Sequence, residues 1–528
     1  MLRAGGVGEV DVSSRRRAEY STDASNYRVV PTAVAFPRSV EEIAAAFGVC
    51  REHGVPLTMR GGGTSVAGNA VGTGVVLDVS RYLNRVLSVD PDARTAAVQP
   101  GVVLDDLQQV AAPYGLRFGP DPSTHARCTL GGMIGNNACG PHALAYGRTA
   151  DNVVALDVLA GTGDRFEAGP GTSLPAVDEV VRGSLATIRT ELGRFGRQVS
   201  GYSLEHLLPE RGADLAKALV GTEGTCAIVL GATVGLVEQP AATALAVLGY
   251  PDMAAAADAT PALLPLRPLA VEGIDARLVD VVRARKGAAA VPDLPRGGGW
   301  LFVELGAPTP AAAADAAQRL AAAAEALDAV VVPAGPQART LWRIREDGAG
   351  LAGRTAAGEP AWPGWEDAAV PPAALGAYLR EFEALLASYR LSGLSYGHFG
   401  DGCVHVRIDF PLAAAPGVFR EFLRDAARLV ASHGGSLSGE HGDGRARGEL
   451  LPLMYSADAL RAFAGFKAAL DPHNLLNPGV LVDPRPVDAD LRLPAARPLA
   501  QRLGFAYASD RGDFATAVHR CVGVGKCR

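Results

Sequence analysis

The sequence predicts an α+β protein made of a glycine-rich half followed by an alanine-rich half, and three observations predict it. Short strand patterns punctuated by glycine turns fill residues 1–239, whereas Ala-rich helical patterns alternate with strands over 240–482. A chain of 528 residues exceeds one simple core, which favours two or three domains. A Pro- and Arg-rich stretch over 483–502 reads as a linker. We therefore divide the chain into 1–239, 240–482 and a remainder, 483–528.

The elements justify this in order. Residues 39–53 form a helical pattern: Ser39 and Glu42 fit a capping box, Ile43, Phe47 and Cys50 share one face, and Gly54 can close the end. A strand over 55–59 runs into Arg60-Gly61-Gly62-Gly63-Thr64-Ser65, and further strands are expected at 74–79, 94–98 and 153–159, with a helix over 104–114. In the second half, helices are expected at 310–327, 375–389 and 419–433 and strands at 300–305 and 404–410. No internal repeat of fixed period is present.

Bulk composition excludes several classes. A net charge of −6 gives no nucleic-acid footprint. Residues 1–10 lack the apolar core of a secretory signal, and the most apolar stretches, 241–269 and 311–332, are broken by charges or proline and cannot span a bilayer. The seven cysteines are scattered, which is no disulfide framework, so a reducing cytoplasm is expected.

Three segments suit a phosphate-bearing cofactor. In Arg60–Ser65 three glycines free backbone N–H groups to face an anion, and Thr64 and Ser65 add hydroxyls. No Lys-Ser/Thr follows, so this is not a Walker loop, and Gly68 opens no helix, so it is not a dinucleotide fingerprint. The second segment, 120–140, sets Gly131, Gly132, Gly135 and Gly140 around Asn136 and Asn137; the third is Gly221-Thr-Glu-Gly-Thr225. Together these resemble the PCMH-type FAD domain of the vanillyl-alcohol-oxidase superfamily. The resemblance implies FAD contacts at Arg60, Gly61, Gly62, Gly63, Thr64, Ser65, Pro100, Gly101, Asp121, Ser123, Thr129, Gly132, Gly135, Asn136, Asn137, Gly140, Glu223, Gly224, Ile228 and Asn477. His125 and His142 lie near the expected flavin, and nothing in the sequence selects either for a covalent link.

The second half carries the proton and metal chemistry. Tyr396 to Arg407 reads as strand, Gly-Asp-Gly turn, strand, which brings His398 toward His405; Ser438-Gly-Glu440-His441-Gly-Asp-Gly-Arg445 follows about thirty residues on. Two imidazoles and a carboxylate suit a divalent ion, zinc first, manganese or iron as alternatives. These segments resemble the FAD-linked oxidases that act on D-2-hydroxyglutarate and D-lactate. Carried over position by position, the resemblance makes His398, His405 and Glu440 the metal ligands, His441 the catalytic base, and Arg345 a substrate-carboxylate residue. Arg407, two residues beyond His405 on a strand, should share its face and look into the same site. Departures are Cys403-Val404 where Asn-Leu is usual, and Ala349 and the 362–367 stretch, which lack the further Thr and Lys contacts.

Cys521 and Cys527 are two thiols, short of the four that a cluster requires, so no complete iron–sulfur cluster is expected in this chain. The tail resembles the junction at which bacterial FAD proteins are fused to an iron–sulfur half. The expected function is FAD-dependent, metal-assisted dehydrogenation of a small D-2-hydroxy acid, D-2-hydroxyglutarate ahead of D-lactate or glycolate. Electrons would pass to an acceptor or an iron–sulfur domain or protein, in the cytoplasm or peripheral to the membrane through that partner. The alternatives are a non-redox flavoprotein resembling alkyl-glycerone-phosphate synthase, and a non-catalytic FAD subunit.

Overall fold

In a computed structural model the chain is described over residues 1–351, 353, 355, 360–493, 507–508 and 512–519, apart from the side chains of 347–349, 351, 516 and 519. Its helices and strands are intermixed in two bodies, the α+β class that the sequence predicts.

The first body holds three sheets. Strands β1 (Val10–Asp11), β2 (Ala33–Ala35), β3 (Leu57–Arg60) and β4 (Val75–Asp78) form a sheet of order β1-β2-β4-β3, parallel except for β1. The parallel pairing requires a crossover, which helix Val40–Glu52 supplies. Ser39 Oγ caps this helix by accepting from the Glu42 N–H, but Glu42 turns its carboxylate to the N–H groups of Arg38 and Gly8, so only half of the expected capping box forms. An antiparallel sheet of β5 (Val86–Asp90), β6 (Thr95–Val98), β8 (Val153–Ala160), β9 (Arg165–Ala168) and β10 (Ala227–Gly235) runs in the order β5-β6-β10-β8-β9. A third, two-stranded sheet pairs β7 (Leu116–Arg117) with β11 (Val237–Glu238). Along β10, Ile228, Leu230, Ala232 and Val234 are buried while Val229, Gly231 and Thr233 are half-buried, the period of two of a strand packed on one face.

The second body is a seven-stranded antiparallel sheet of order β15-β12-β14-β13-β17-β18-β16. Its strands are β12 (Ala242–Tyr250), β13 (Ala270–Asp275), β14 (Gly299–Ala307), β15 (Asp328–Pro333), β16 (Ala368–Ala369), β17 (Gly393–His398) and β18 (Cys403–Ile408). Ala244, Ala246 and Leu248 pack toward helices Met253–Leu263 and Pro310–Ala323, whereas Leu245 and Val247 pack toward helix Ala276–Lys286. With both faces covered, central strands such as β13 are buried at every residue, so a charged residue there must find a partner.

The chain then returns to the first body. Helix Ala457–Leu470 packs on helix Pro175–Glu191, and Leu476 bridges in parallel to Leu57. The buried Lys467 ammonium donates to the Thr225 and Leu476 carbonyls and to Asp471 at 2.5 Å. The expected linker is different in its first part: residues 483–493 form a packed strap. Val487 is fully buried, Tyr27 Oη donates to its carbonyl at 2.7 Å, and the Arg492 backbone N–H donates to the Asn26 carbonyl. Apolar side chains at Val487 and Leu491 give the strap a core contact that its proline and arginine content conceals. The rest of that stretch, with Cys521 and Cys527, lies outside the described residues. Among the described residues no helix is long and apolar enough to cross a membrane.

Replacing Lys467 with methionine keeps the stem but leaves Asp471 buried without its cation. Loss of about 3–5 kcal/mol is expected, read as a lower urea midpoint at unchanged slope.

Candidate functional site

A cavity of about 680 Å³ runs between the glycine-rich loops and the seven-stranded sheet. Its walls include Arg60, Gly61, Gly62, Gly63, Thr64, Ser65, Pro100, Asp121, Ser123, Thr129, Gly132, Gly135, Asn136, Gly140, Glu223 and Gly224 from the expected cofactor set. Here glycine is a steric requirement: a Cβ on Gly61 would overlap Thr129 Oγ1, and one on Gly62 would overlap the Arg127 carbonyl. The two loops can therefore close on each other and still present backbone to the cavity.

Four expected contacts are placed elsewhere. Ile228 points into the core beside Leu57 and Leu77, because the β10 alternation assigns it to the buried face. Gly101 backs onto the Val79 and Leu83 carbonyls. Asn137 is buried and accepts from the Ala150 N–H at 2.9 Å. Asn477 donates to the Asn69 and Glu223 carbonyls, both at 2.9 Å, and so supports the wall from behind. Glu223 lines the cavity, yet its carboxylate accepts from the N–H groups of Asp443 and Gly444, tying one loop to the other body's turn. Burial, with the neighbouring Asp443 charge, pushes its pKa up to about 8.

At the far end, β17, its Gly-Asp-Gly turn and β18 bring the imidazoles of His398 and His405 to a centroid distance of 5.0 Å, and His405 stacks on His441 at 5.0 Å. All three converge on one atom: Glu440 Oε1 lies 3.2 Å from His398 Nε2, 3.2 Å from His405 Nε2 and 3.4 Å from His441 Nε2. The other oxygen, Oε2, accepts from the Gly140 N–H at 2.8 Å and from Arg197 Nη1 at 3.2 Å, both in the first body. Arg197 is itself buried against Asp401 at 2.7 Å.

The far ring nitrogens decide what this cluster can bind. His405 Nδ1 is 2.6 Å from the Glu366 carbonyl, which can only accept, so Nδ1 carries the proton and neutral His405 aims an Nε2 lone pair at Glu440. Burial lowers its pKa to about 4, which keeps it neutral. His398 Nδ1 is held by Glu272 Oε1 at 2.7 Å. A lone pair facing a carboxylate oxygen is repulsive unless a cation lies between them, so the donor set fits a divalent ion. Asp367, His405, Glu440 and His441 also present ligand atoms within 4.8 Å of one another. Asp367, however, already accepts from Ser438 Oγ and from the N–H groups of Gly439, Glu440 and His441, which makes it the anchor of that loop and a poorer ligand.

His441 has Glu366 Oε1 and Asp367 Oδ1 at 3.6 and 3.7 Å from Nδ1. Burial opposes its protonation, but Asp367, Glu366 and Glu440 prevail and raise its pKa to about 10. A cation beside Glu440 would offset part of that negative field. Arg407 is 5% exposed, lines the cavity, and among the described residues makes no hydrogen bond or ion pair. Arg345 also lines the cavity, but its Nε is bonded to Glu272. Sequence reasoning missed Glu272, Asp367, Glu366 and Arg197. Only Glu272 carried a local signal, an acid flanked by Val271 and Gly273 in the middle of a short strand.

His142 is committed on both sides: Nδ1 to Asp121 at 2.5 Å and Nε2 to Glu304 at 2.6 Å. Neither nitrogen is left for a bond to flavin, and the ring instead joins the two bodies. Burial would lower its pKa, but Asp121 and Glu304 overcome this and raise it from 6.5 to about 10.

Two family models match the chain: "FAD linked oxidases, C-terminal domain" over residues 239–481 and "FAD binding domain" over 31–191. A D-2-hydroxyglutarate dehydrogenase of Escherichia coli is 30% identical over 92% of this chain and 52% of its own length. A D-lactate dehydrogenase of Archaeoglobus fulgidus is 30% identical over 84% of this chain and 90% of its own. The chain thus spans about half the length of the first relative and of its Pantoea and Pseudomonas counterparts. Among solved structures, an alkyldihydroxyacetonephosphate synthase superposes with a TM-score of 0.61 at 16% identity, covering 89% of this chain and 82% of that one, a likeness of fold.

The His142 bridge gives a signed pH dependence. Its stabilisation is full below pH 6.5 and is lost as pH rises toward about 10. Paired melts of the protein and His142→Gln should differ most near pH 6 and converge near pH 10; a constant gap would show that the bridge carries no charge.

Proposed function

Because the chain belongs to the FAD-linked oxidases, we propose that it oxidises a small D-2-hydroxy acid to the 2-oxo acid, preferring D-2-hydroxyglutarate to D-lactate and glycolate. The observation that carries this reading is the convergence of three Nε2 atoms on Glu440 Oε1 within the cavity wall.

The loops at 60–65 and 129–140, with Glu223 and Gly224, would hold FAD, and His398, His405 and Glu440 a divalent cation, zinc, manganese or iron. Bound there, FAD supplies a two-electron acceptor and the cation Lewis acidity toward the substrate hydroxyl. With a cation offsetting the field of Glu440, His441 would be neutral and would take the hydroxyl proton at Nε2, the ring nitrogen turned toward Glu440. Arg407 binds a carboxylate. Arg407 feels the Glu366 carboxylate but bonds no anion among the described residues, and a substrate carboxylate would supply that bond. Chelation at the cation accounts for the first carboxylate, so an otherwise unpaired Arg407 favours a substrate with a second. Arg345 keeps its Nε on Glu272 and its Nη2 against His398 Nε2, and has Nη1 for the same anion. Electrons then pass to an acceptor protein or iron–sulfur module, in the cytoplasm or at the membrane surface.

Under anaerobic conditions D-2-hydroxyglutarate should bleach the bound flavin and the L isomer should not. His441→Ala should retain FAD and be reduced about 10²–10⁴-fold more slowly; reduction at the wild-type rate removes His441 from the reaction. Arg407→Met should raise KM for D-2-hydroxyglutarate about 10–100-fold and affect D-lactate less, as steady-state kinetics would read.

A further inference from the structure

We propose that Glu272 is a positioning residue that couples anion binding to the geometry of the metal ligands, dividing one buried carboxylate between His398 and Arg345. The inference rests on the reading above and names a residue and a coupling that it does not contain.

The main chain fixes this arrangement. Strand β13 pairs with β17 so that Glu272 stands directly opposite His398 across the ladder. Glu272 is fully buried, as is every residue of its strand. The strand cannot shift easily, because the space beside Gly273 is filled by the Phe399 ring. From this position Oε1 takes the His398 Nδ1 proton at 2.7 Å, and Oε2 takes Arg345 Nε. The triangle closes through Arg345 Nη2, which is 3.4 Å from His398 Nε2, and the guanidinium lies 5.0 Å over the Tyr396 ring.

Two consequences follow from the chemistry of a carboxylate. It alone can accept from both neighbours, since an amide offers one acceptor and one donor. Its charge also offsets Arg345. Without it, an uncompensated guanidinium would stand 3.4 Å from the nitrogen that must face a metal ion. Glu272 therefore holds His398 in the tautomer that leaves Nε2 free, and lets Arg345 reside beside a cation locus. Arg345 Nε is used by Glu272 and Nη2 lies against His398, so Nη1 is left to take a substrate carboxylate without breaking the pair.

The test uses the full chain with FAD bound, Mn²⁺ as the metal probe, and oxalate, an unreactive anion, followed by flavin difference spectra. Glu272→Gln should keep its flavin content and lose Mn²⁺ affinity about 10–100-fold. Arg345→Gln should keep Mn²⁺ affinity and lose oxalate affinity. The double variant should recover Mn²⁺ affinity relative to Glu272→Gln while oxalate binding stays weak, a recovery that a merely structural role would not give. Wild-type Mn²⁺ and oxalate affinities in Glu272→Gln, or a double variant no better than it, would overturn the inference and leave the proposed reaction standing. Should Glu272→Gln fail to fold, equal loss of both affinities in Arg345→Gln would overturn it. Failure of the unmodified protein to bind Mn²⁺ or Zn²⁺ would instead remove the metal reading and this inference with it.

Discussion

The Glu440 carboxylate is divided between two bodies, and the geometry of the site depends on that division. Gly140 and Arg197, from the glycine-rich body, hold Oε2, so Oε1 is left facing the imidazoles of the second body. A free carboxylate would rotate and present either oxygen. Glu223 repeats the device one turn on, reaching from the first body to the Asp443 and Gly444 N–H groups. The cavity and the polar cluster are thus one construction, and neither body builds it alone.

Charge burial sets the rest. Removing ions from water is tolerated here because nearly every one has a partner: Arg197 with Asp401, Arg447 with Glu366, Arg345 with Glu272. Asp367 is compensated differently, by three backbone N–H groups and the Ser438 hydroxyl, which also clamp the loop that presents Glu440 and His441. Against this background the Arg407 guanidinium, without a hydrogen-bonded partner among the described residues, is conspicuous. The same logic separates His142 from the cluster around Glu440: its two carboxylates make it a cationic joint between the bodies.

Local patterns are legible where spacing alone determines the outcome. The helix at Val40–Glu52 and the strands flanking the first glycine loop follow from periodicity and turn residues. The hairpin that pairs His398 with His405 follows from a Gly-Asp-Gly turn. The Ile228 side chain lies on the buried face of β10, a position its alternation makes readable, whereas its expected cofactor contact came only from the family resemblance. The strap at 483–493 is misread because proline and arginine mark an exposed link only when no apolar residue anchors it, and Val487 and Leu491 do.

By itself the sequence determined the element types and the glycine, imidazole, carboxylate and guanidinium groups available to the site. Only the tertiary structure decided that Glu272 serves both Arg345 and His398, that Arg197 orients Glu440, and that Arg345 is bonded to a carboxylate while Arg407, among the described residues, is not. Periodicity and turn chemistry act over a few residues, whereas these contacts join positions 73, 126 and 243 apart in the chain. Partners so distant are chosen by strand register and by the cost of burying an unpaired charge, and both are settled only when the two bodies pack.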